Sequence, residues 1–267
     1  MLIDCHVHLD SYTNEEVSEI LERGRRVGVG FVISAGTTLE STRRSLELSE
    51  AFPDFFSGVG IHPMDILEPF DDSTYLALKD MALSTDKVLV ISETGLDFME
   101  GTPDRAMQYT AFRQQIRLGR ELGLPVVFHS RESHAEVFRV LREERVYEVG
   151  GVMHYFQGTM EDAQHVMDMG LYVSLARPLL RLPHLQEVAG KLPLESIVLE
   201  TDSAPQPFKP KRENWTEPRY TRIIAEKLAD LQGRDVEEVV QATTANMRNL
   251  LGKGWHIVEK YIPIALK

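Results

Sequence analysis

Five of the nine histidines in this 267-residue chain, His6, His8, His62, His129 and His154, stand in or just after short runs of β-branched and aromatic residues. Glu93 and Asp202 occupy similar places, closing the run 88–93 and just past 196–200. Neutral imidazoles and carboxylates are the nitrogen and oxygen donors that divalent cations accept. In His6-Val7-His8 an extended chain points residues i and i+2 the same way. Both rings then face one side with Asp4 below them, and Ile3, Cys5 and Val7 face the other. Asp4 is an acceptor for a second ring nitrogen, which a metal-bound histidine usually needs. Glu93 ends an apolar run, where a carboxylate is costly unless paired or metal-bound. An ion pair with Arg131 would satisfy it. So would two cations, one on each oxygen, at the separation of about 3.5–4 Å that two-metal sites show. Taken singly, His129 and His154 read equally well as hydrogen-bonded core histidines, and Asp202 as a cap on the following turn. Taken as six, His6, His8, Glu93, His129, His154 and Asp202 read as a metal centre.

Such a centre needs elements that bring distant segments together. Strand-like runs fall at 2–6, 30–35, 55–61, 88–93, 125–129, 151–155, 172–175 and 196–200. They are short and largely apolar, as strands buried on both faces are. Amphipathic helix patterns alternate with them at 14–27, 38–50, 73–84, 103–122, 132–143, 160–169, 184–191 and 219–231. Asn14 and Thr159 precede acidic first turns, and Gly123 and Gly170 stand where helices should stop. Eight strand-then-helix units predict an α/β fold, a (β/α)8 TIM barrel, with a doubly wound open sheet as the alternative. No composition break divides 1–267, which reads as one domain with 253–267 as a C-terminal extension. Active sites of TIM barrels gather at the C-terminal strand ends, and the candidate ligands, with His62 and Glu200, fall there.

Composition narrows the class. The hydrophobic fraction is 43%, the charged fraction 26% and the net charge −12. These are globular values that exclude disorder and collagen-like repeats. An acidic chain repels nucleic acid at long range, which excludes a general polyanion-coating protein but not an enzyme gripping phosphate locally. No apolar run nears the roughly 20 residues that span a bilayer, and no signal-peptide pattern opens the chain. A single cysteine, Cys5, excludes a disulfide framework and points to the cytoplasm. There is no G-x-S-x-G elbow, no phosphate-binding P-loop and no complete dinucleotide fingerprint. Cys5, on the face away from the histidines, is not placed as a nucleophile.

The sequence resembles the TatD-type metal-dependent hydrolases, a deoxyribonuclease family of the amidohydrolase superfamily, to about Gly252. The motifs that carry the resemblance are Asp4-Cys5-His6-Val7-His8, Gly60-Ile61-His62-Pro63, Ser92-Glu93-Thr94-Gly95-Leu96-Asp97, Pro125-Val126-Val127-Phe128-His129-Ser130-Arg131, His154-Tyr155-Phe156-Gln157-Gly158 and Glu200-Thr201-Asp202-Ser203. Asn246-Met247-Arg248-Asn249-Leu250-Leu251-Gly252 is similar to the family's closing helix. Ser92, Thr94 and the spacing of Ala204 before Pro205 depart from the family pattern and bear on loop shape. The resemblance implies a (β/α)8 barrel with one or two divalent ions (Zn, Mg or Mn). His6, His8 and Asp202 would hold one ion, His129 and His154 the second, and Glu93 would bridge. His62 would face the substrate.

The chemistry implied is phosphodiester hydrolysis by metal-activated water. Asp202 would orient the water and accept its proton, and His62 and Arg131 would offset transition-state charge. Arg131 could instead pair with Glu132 or Glu93. The stretch after Asp202 is locally basic, with Lys209, Lys211, Arg212, Arg219 and Arg222. There Lys211, Arg212 and a stacking Trp215 are candidates to grip DNA, unless they pair with acidic helices and cap the core. Two other functions stay open: an ester or amide hydrolase such as a D-aminoacyl-tRNA deacylase, and a non-enzymatic metal-loaded binding protein.

Overall fold

The computed structural model describes residues 1–262. Strand and helix alternate throughout: β1 (Leu2–Val7), α1 (Asn14–Arg25), β2 (Val29–Ser34), α2 (Leu39–Ala51), β3 (Phe55–Val59), α3 (Asp72–Leu83), β4 (Val88–Asp97), α4 (Arg105–Leu122), β5 (Val126–Arg131), α5 (His134–Glu143), β6 (Gly151–Met153), α6 (Met160–Asp168), β7 (Tyr172–Leu175), α7 (Pro183–Lys191), β8 (Ile197–Leu199), α8 (Thr221–Gln232), α9 (Val236–Leu251) and α10 (Trp255–Tyr261). The strands pair in parallel in chain order, β1 to β8. A parallel bridge from Val7 to Ser203 closes the ring, with backbone bonds from His8 N–H to Ser203 O (2.7 Å) and from Asp202 N–H to His6 O (3.1 Å). This is the (β/α)8 barrel.

Local chemistry sets the helix ends. Thr13, one residue before the expected start, caps α1 in a box with Glu16, and Thr159 caps α6 in a box with Asp162. Gly123 (φ 68°) and Gly170 (φ 70°) end α4 and α6 in the left-handed region that glycine enters without steric cost. The helix α9 is absent from the strand-helix count above, although Asp235 caps it and its buried residues recur at helical spacing from Val239 to Leu251.

Two apolar layers result. Strand residues such as Val32, Ile91, Phe128 and Leu199 pack outward against the helices. Ile3, Cys5, Phe31, Ile33, Phe56, Leu89, Val127, Val152 and Val198 form a second cluster inside the ring. Met247, Leu250, Leu251, Trp255 and Val258 of α9 and α10 complete that cluster and plug the end where the strands begin. The segment 253–262 is therefore the floor of the barrel; Pro263 to Lys267 lie outside the described residues. Strict alternation along β1 does not hold. The β1–β2 register slips between Asp4 and Val7, a bulge that turns Ile3 and Cys5 inward beside the face that carries His6. Among the described residues no helix is long and apolar enough to cross a membrane.

Candidate metal centre

Glu93 lies at the middle of the site. It is not at the end of its strand: β4 runs four residues further, because Thr94 to Asp97 continue to pair with Phe128 to Arg131. Two glycines permit the close approaches around it. A Cβ on Gly60 would lie 2.7 Å from the Ser92 carbonyl carbon, and one on Gly95 (φ 143°) would lie 2.1 Å from His129 O.

The two oxygens of Glu93 face different imidazoles. Oε2 is 3.3 Å from His6 Nε2 and 3.5 Å from His8 Nε2. Oε1 is 3.2 Å from His129 Nδ1, 2.9 Å from His154 Nε2 and 3.3 Å from His62 Nε2. Asp202 Oδ1 stands 3.2 Å from His8 Nε2, and the His6 and His8 Nε2 atoms are 3.1 Å apart. Three of these seven separations exceed the usual hydrogen-bond range of about 2.7–3.2 Å and three more lie at its long end. They match donors sharing one ion: two ligands at about 2.1 Å, tetrahedrally disposed, lie ~3.4 Å apart. Three triads, His6/His8/Glu93, His6/His154/Asp202 and His62/Glu93/His129, each bring their ligand atoms within 4.8 Å of one another.

The electrostatics agree. Burial would push the Glu93 carboxyl up, but the surrounding imidazoles of His154, His62 and His129 outweigh it and hold it well below the usual range. Burial opposes protonation of His8, yet Asp202 and Glu93 raise it to about 9. Asp202, despite burial, is held at about 2 by His8 and its neighbours. The carboxylates thus stabilise positive charge at this point, a demand that divalent cations meet.

Outer residues fix which ring nitrogen is offered. His129 Nε2 is 2.9 Å from Asp97 Oδ2, so the neutral ring carries its proton on Nε2 and turns the Nδ1 lone pair toward the centre. His62 Nδ1 accepts the Met64 N–H at 3.1 Å, so the neutral ring carries its proton on Nε2. Asp4 does not serve His6: it takes the Thr201 N–H and hydroxyl, and His6 Nδ1 has no partner among the described residues. Asp97 and Glu200 are functional candidates to which the sequence reading gave no role. Their signal was spacing: Asp97 is four residues past Glu93, and Glu200 two before Asp202.

A cavity of about 630 Å³ opens on the centre, lined by His8, His62, Glu93, Arg131, Tyr155 and Asp202, among others. Arg131 does not pair with Glu93; its Nε donates to Asp97 Oδ2 at 2.8 Å, and it stays half-exposed. Lys211, Arg212 and Trp215 do not line the cavity. Arg212 lies over the Tyr12 and Trp215 rings and reaches Glu217, which Arg23 and Arg219 also engage. Trp215 donates to Lys209 O (3.5 Å) and packs against the core, while Lys211 is exposed near Glu213.

Residues 3–252 match the family described as TatD related DNase. The chain is 31% identical to the uncharacterized metal-dependent hydrolase YabD of Bacillus subtilis, over 94% of this chain and 98% of that protein. It is 30% identical to the human deoxyribonuclease TATDN3, over 97% of each. The crystal structure of YJJV, a TatD homolog from Escherichia coli K12, superposes with a TM-score of 0.85 at 26% identity, over 93% of this chain and 97% of that one. A shared fold, a carboxylate set between histidines and a match along nearly the whole length lead to one assignment: the chain belongs to the TatD-related DNase family of metal-dependent hydrolases.

Proposed function

We propose that this protein is a two-cation deoxyribonuclease that hydrolyses phosphodiester bonds at the mouth of the barrel. The observation that carries the reading is the division of Glu93, with Oε2 toward His6 and His8 and Oε1 toward His129 and His154. His6, His8 and Asp202 would hold one cation, His129 and His154 the other, and Glu93 both. Divalent cations held there supply Lewis acidity to water and to a phosphoryl oxygen.

The chain's own residues do the rest. Asp202 is the more accessible of the two central carboxylates, its side chain 30% exposed against 4% for Glu93. It is the group placed to orient water and accept its proton. His62, with its proton on Nε2, donates toward a phosphoryl oxygen rather than acting as a ligand. Arg131, anchored to Asp97, offers its remaining N–H groups to the same phosphate. Arg212 and Arg219 are engaged by Glu217 and Arg222 by Glu226 and Glu237, and none of them lines the cavity, so the grip on phosphate is local to the cavity. The single buried thiol, Cys5, suits a reducing cytoplasm.

Incubation with labelled single-stranded DNA and Mg²⁺, Mn²⁺ or Zn²⁺ tests the proposal. Cleavage that chelator abolishes, and that Glu93→Ala and Asp202→Ala each remove, is expected. Turnover confined to carboxylic esters or amides would overturn it.

A further inference from the structure

We infer that the two cation half-sites are unequal, and that Asp97 and Glu200 are positioning residues that make the His129/His154 half-site the tighter one. The inference rests on the two-cation reading. It adds which half fills first and which residues outside the ligand set decide that order.

Behind His129 stands a rigid anchor. Asp97 is wholly buried, and its Oδ2 is 2.9 Å from His129 Nε2. The same oxygen accepts from Arg131, and Oδ1 accepts the Met99 N–H at 3.1 Å. The Asp97 backbone is gripped at both ends by the buried Gln108 amide, which accepts the Asp97 N–H (2.8 Å) and donates to Asp97 O (2.9 Å). The ring of His129 therefore cannot turn without breaking a network.

Behind His154 stands a second carboxylate. Glu200 is wholly buried; its Oε1 accepts the Tyr155 N–H at 2.6 Å and lies 3.5 Å from His154 Nδ1. Glu200 Oε2 and His154 Nδ1 have no hydrogen bond among the described residues. A buried carboxylate with an unused oxygen, beside an imidazole with an unused nitrogen, is unfavourable as it stands. A small ring rotation would close the 3.5 Å gap from Nδ1 to Oε1, which has a lone pair left for a second bond. That contact places the proton on Nδ1 and presents the Nε2 lone pair to the centre.

Among the described residues the other half-site has no such backing. His6 is wholly buried and its Nδ1 is unpartnered, since Asp4 is committed to Thr201. The contacts of His8 all run through Nε2. Carboxylates behind metal-bound histidines fix the ring and strengthen the donor, and losing one costs about 10- to 100-fold in metal affinity.

Calorimetric titration of the chelator-stripped full-length protein with Mn²⁺ tests this. Wild type is expected to fill in two steps, with His8→Ala removing the weaker. Glu200→Gln and Asp97→Asn are each expected to weaken the tighter step about 10- to 100-fold and leave the weaker one in place. Circular dichroism of the stripped variants checks folding. Should Glu200→Gln fail to fold, Glu200→Asp keeps a carboxylate near His154 and is expected to lose less affinity than Asp97→Asn. Equal weakening of both steps, no change in either, or loss of the tighter step in His8→Ala would overturn the inference while leaving two-cation binding intact. A single ion lost in His8→Ala overturns it too, whereas a single ion retained there and weakened by Glu200→Gln supports it. If stripped wild type takes up no divalent ion, the two-cation reading itself falls.

Discussion

Arg131 donates through Nε to Asp97 Oδ2 at 2.8 Å and brings Nη2 within ion-pair distance of the same oxygen (2.7 Å), while its side chain stays 49% exposed at the cavity. The guanidinium is anchored by the same carboxylate oxygen that faces His129. A lysine would carry the charge without the fork. Arg131→Lys and Arg131→Ala are therefore both expected to raise KM for single-stranded DNA by about 10- to 100-fold, the worth of a charge-assisted hydrogen bond of ~1.5–3 kcal/mol. Metal content should not change. Steady-state kinetics paired with elemental analysis makes the check, and a lysine variant with wild-type KM would contradict it.

Glu93 and Asp202 should separate by readout. Glu93 touches five imidazoles, so Glu93→Ala removes a carboxylate that faces both the His6/His8 pair and the His129/His154 pair. Its metal content per chain should fall along with activity. Asp202 touches His8 and borders the cavity, so Asp202→Asn should keep the ion held by His129 and His154 and lose kcat by about 10²- to 10⁴-fold, the range for a general base. Elemental analysis of protein purified without chelator distinguishes the two outcomes.

Lys87 is a buried cation on the floor, 3% exposed. Its ammonium donates to the Ser49 and Phe52 carbonyls and lies 5.1 and 4.7 Å from the Phe56 and Tyr261 ring centroids. Burial pushes its pKa down to about 8, with Asp54 and Asp86 opposing. Between that value and about 10.5 the unfolded chain binds the extra proton, so this group makes stability rise with pH across that window. Relative to Lys87→Met, wild type should gain up to ~3 kcal/mol between pH 7.5 and 10.5. Denaturant unfolding at several pH values measures the difference, and a flat one would refute the assignment.

Trp255 packs edge-on to Phe31 at 6.1 Å and is 4% exposed, closing the ring from below. Trp255→Ala should destabilise the fold by ~3–5 kcal/mol. The metal centre lies at the opposite end, so kcat measured well below the unfolding transition should be unchanged. Urea unfolding and kinetics at low temperature test the two halves of this statement.

Much of this protein is readable in one dimension. The alternation of short apolar runs with amphipathic stretches specifies strand and helix through backbone periodicity, and eight such units point to a barrel or a doubly wound open sheet, both of which bury each strand on two faces; the β1 to β8 closure decides for the barrel. The ligand types and their places near strand ends follow from the same pattern. What the pattern leaves open depends on contacts between distant segments. The bulge in β1 turns Cys5 into the interior against simple parity, and the extended pairing of β4 with β5 puts Glu93 inside a strand and Asp97 behind His129. The basic stretch after Asp202 looked free in sequence, yet Arg212 is drawn off to Glu217 and Trp215 to the core. Glu132, Tyr155 and Asp202 take up left-handed backbone at the cavity, a conformation that costs a non-glycine residue ~1–3 kcal/mol and persists only where surrounding packing imposes it. Periodicity is a local property and travels with the chain; register, partner choice and strain are settled only when the ring closes.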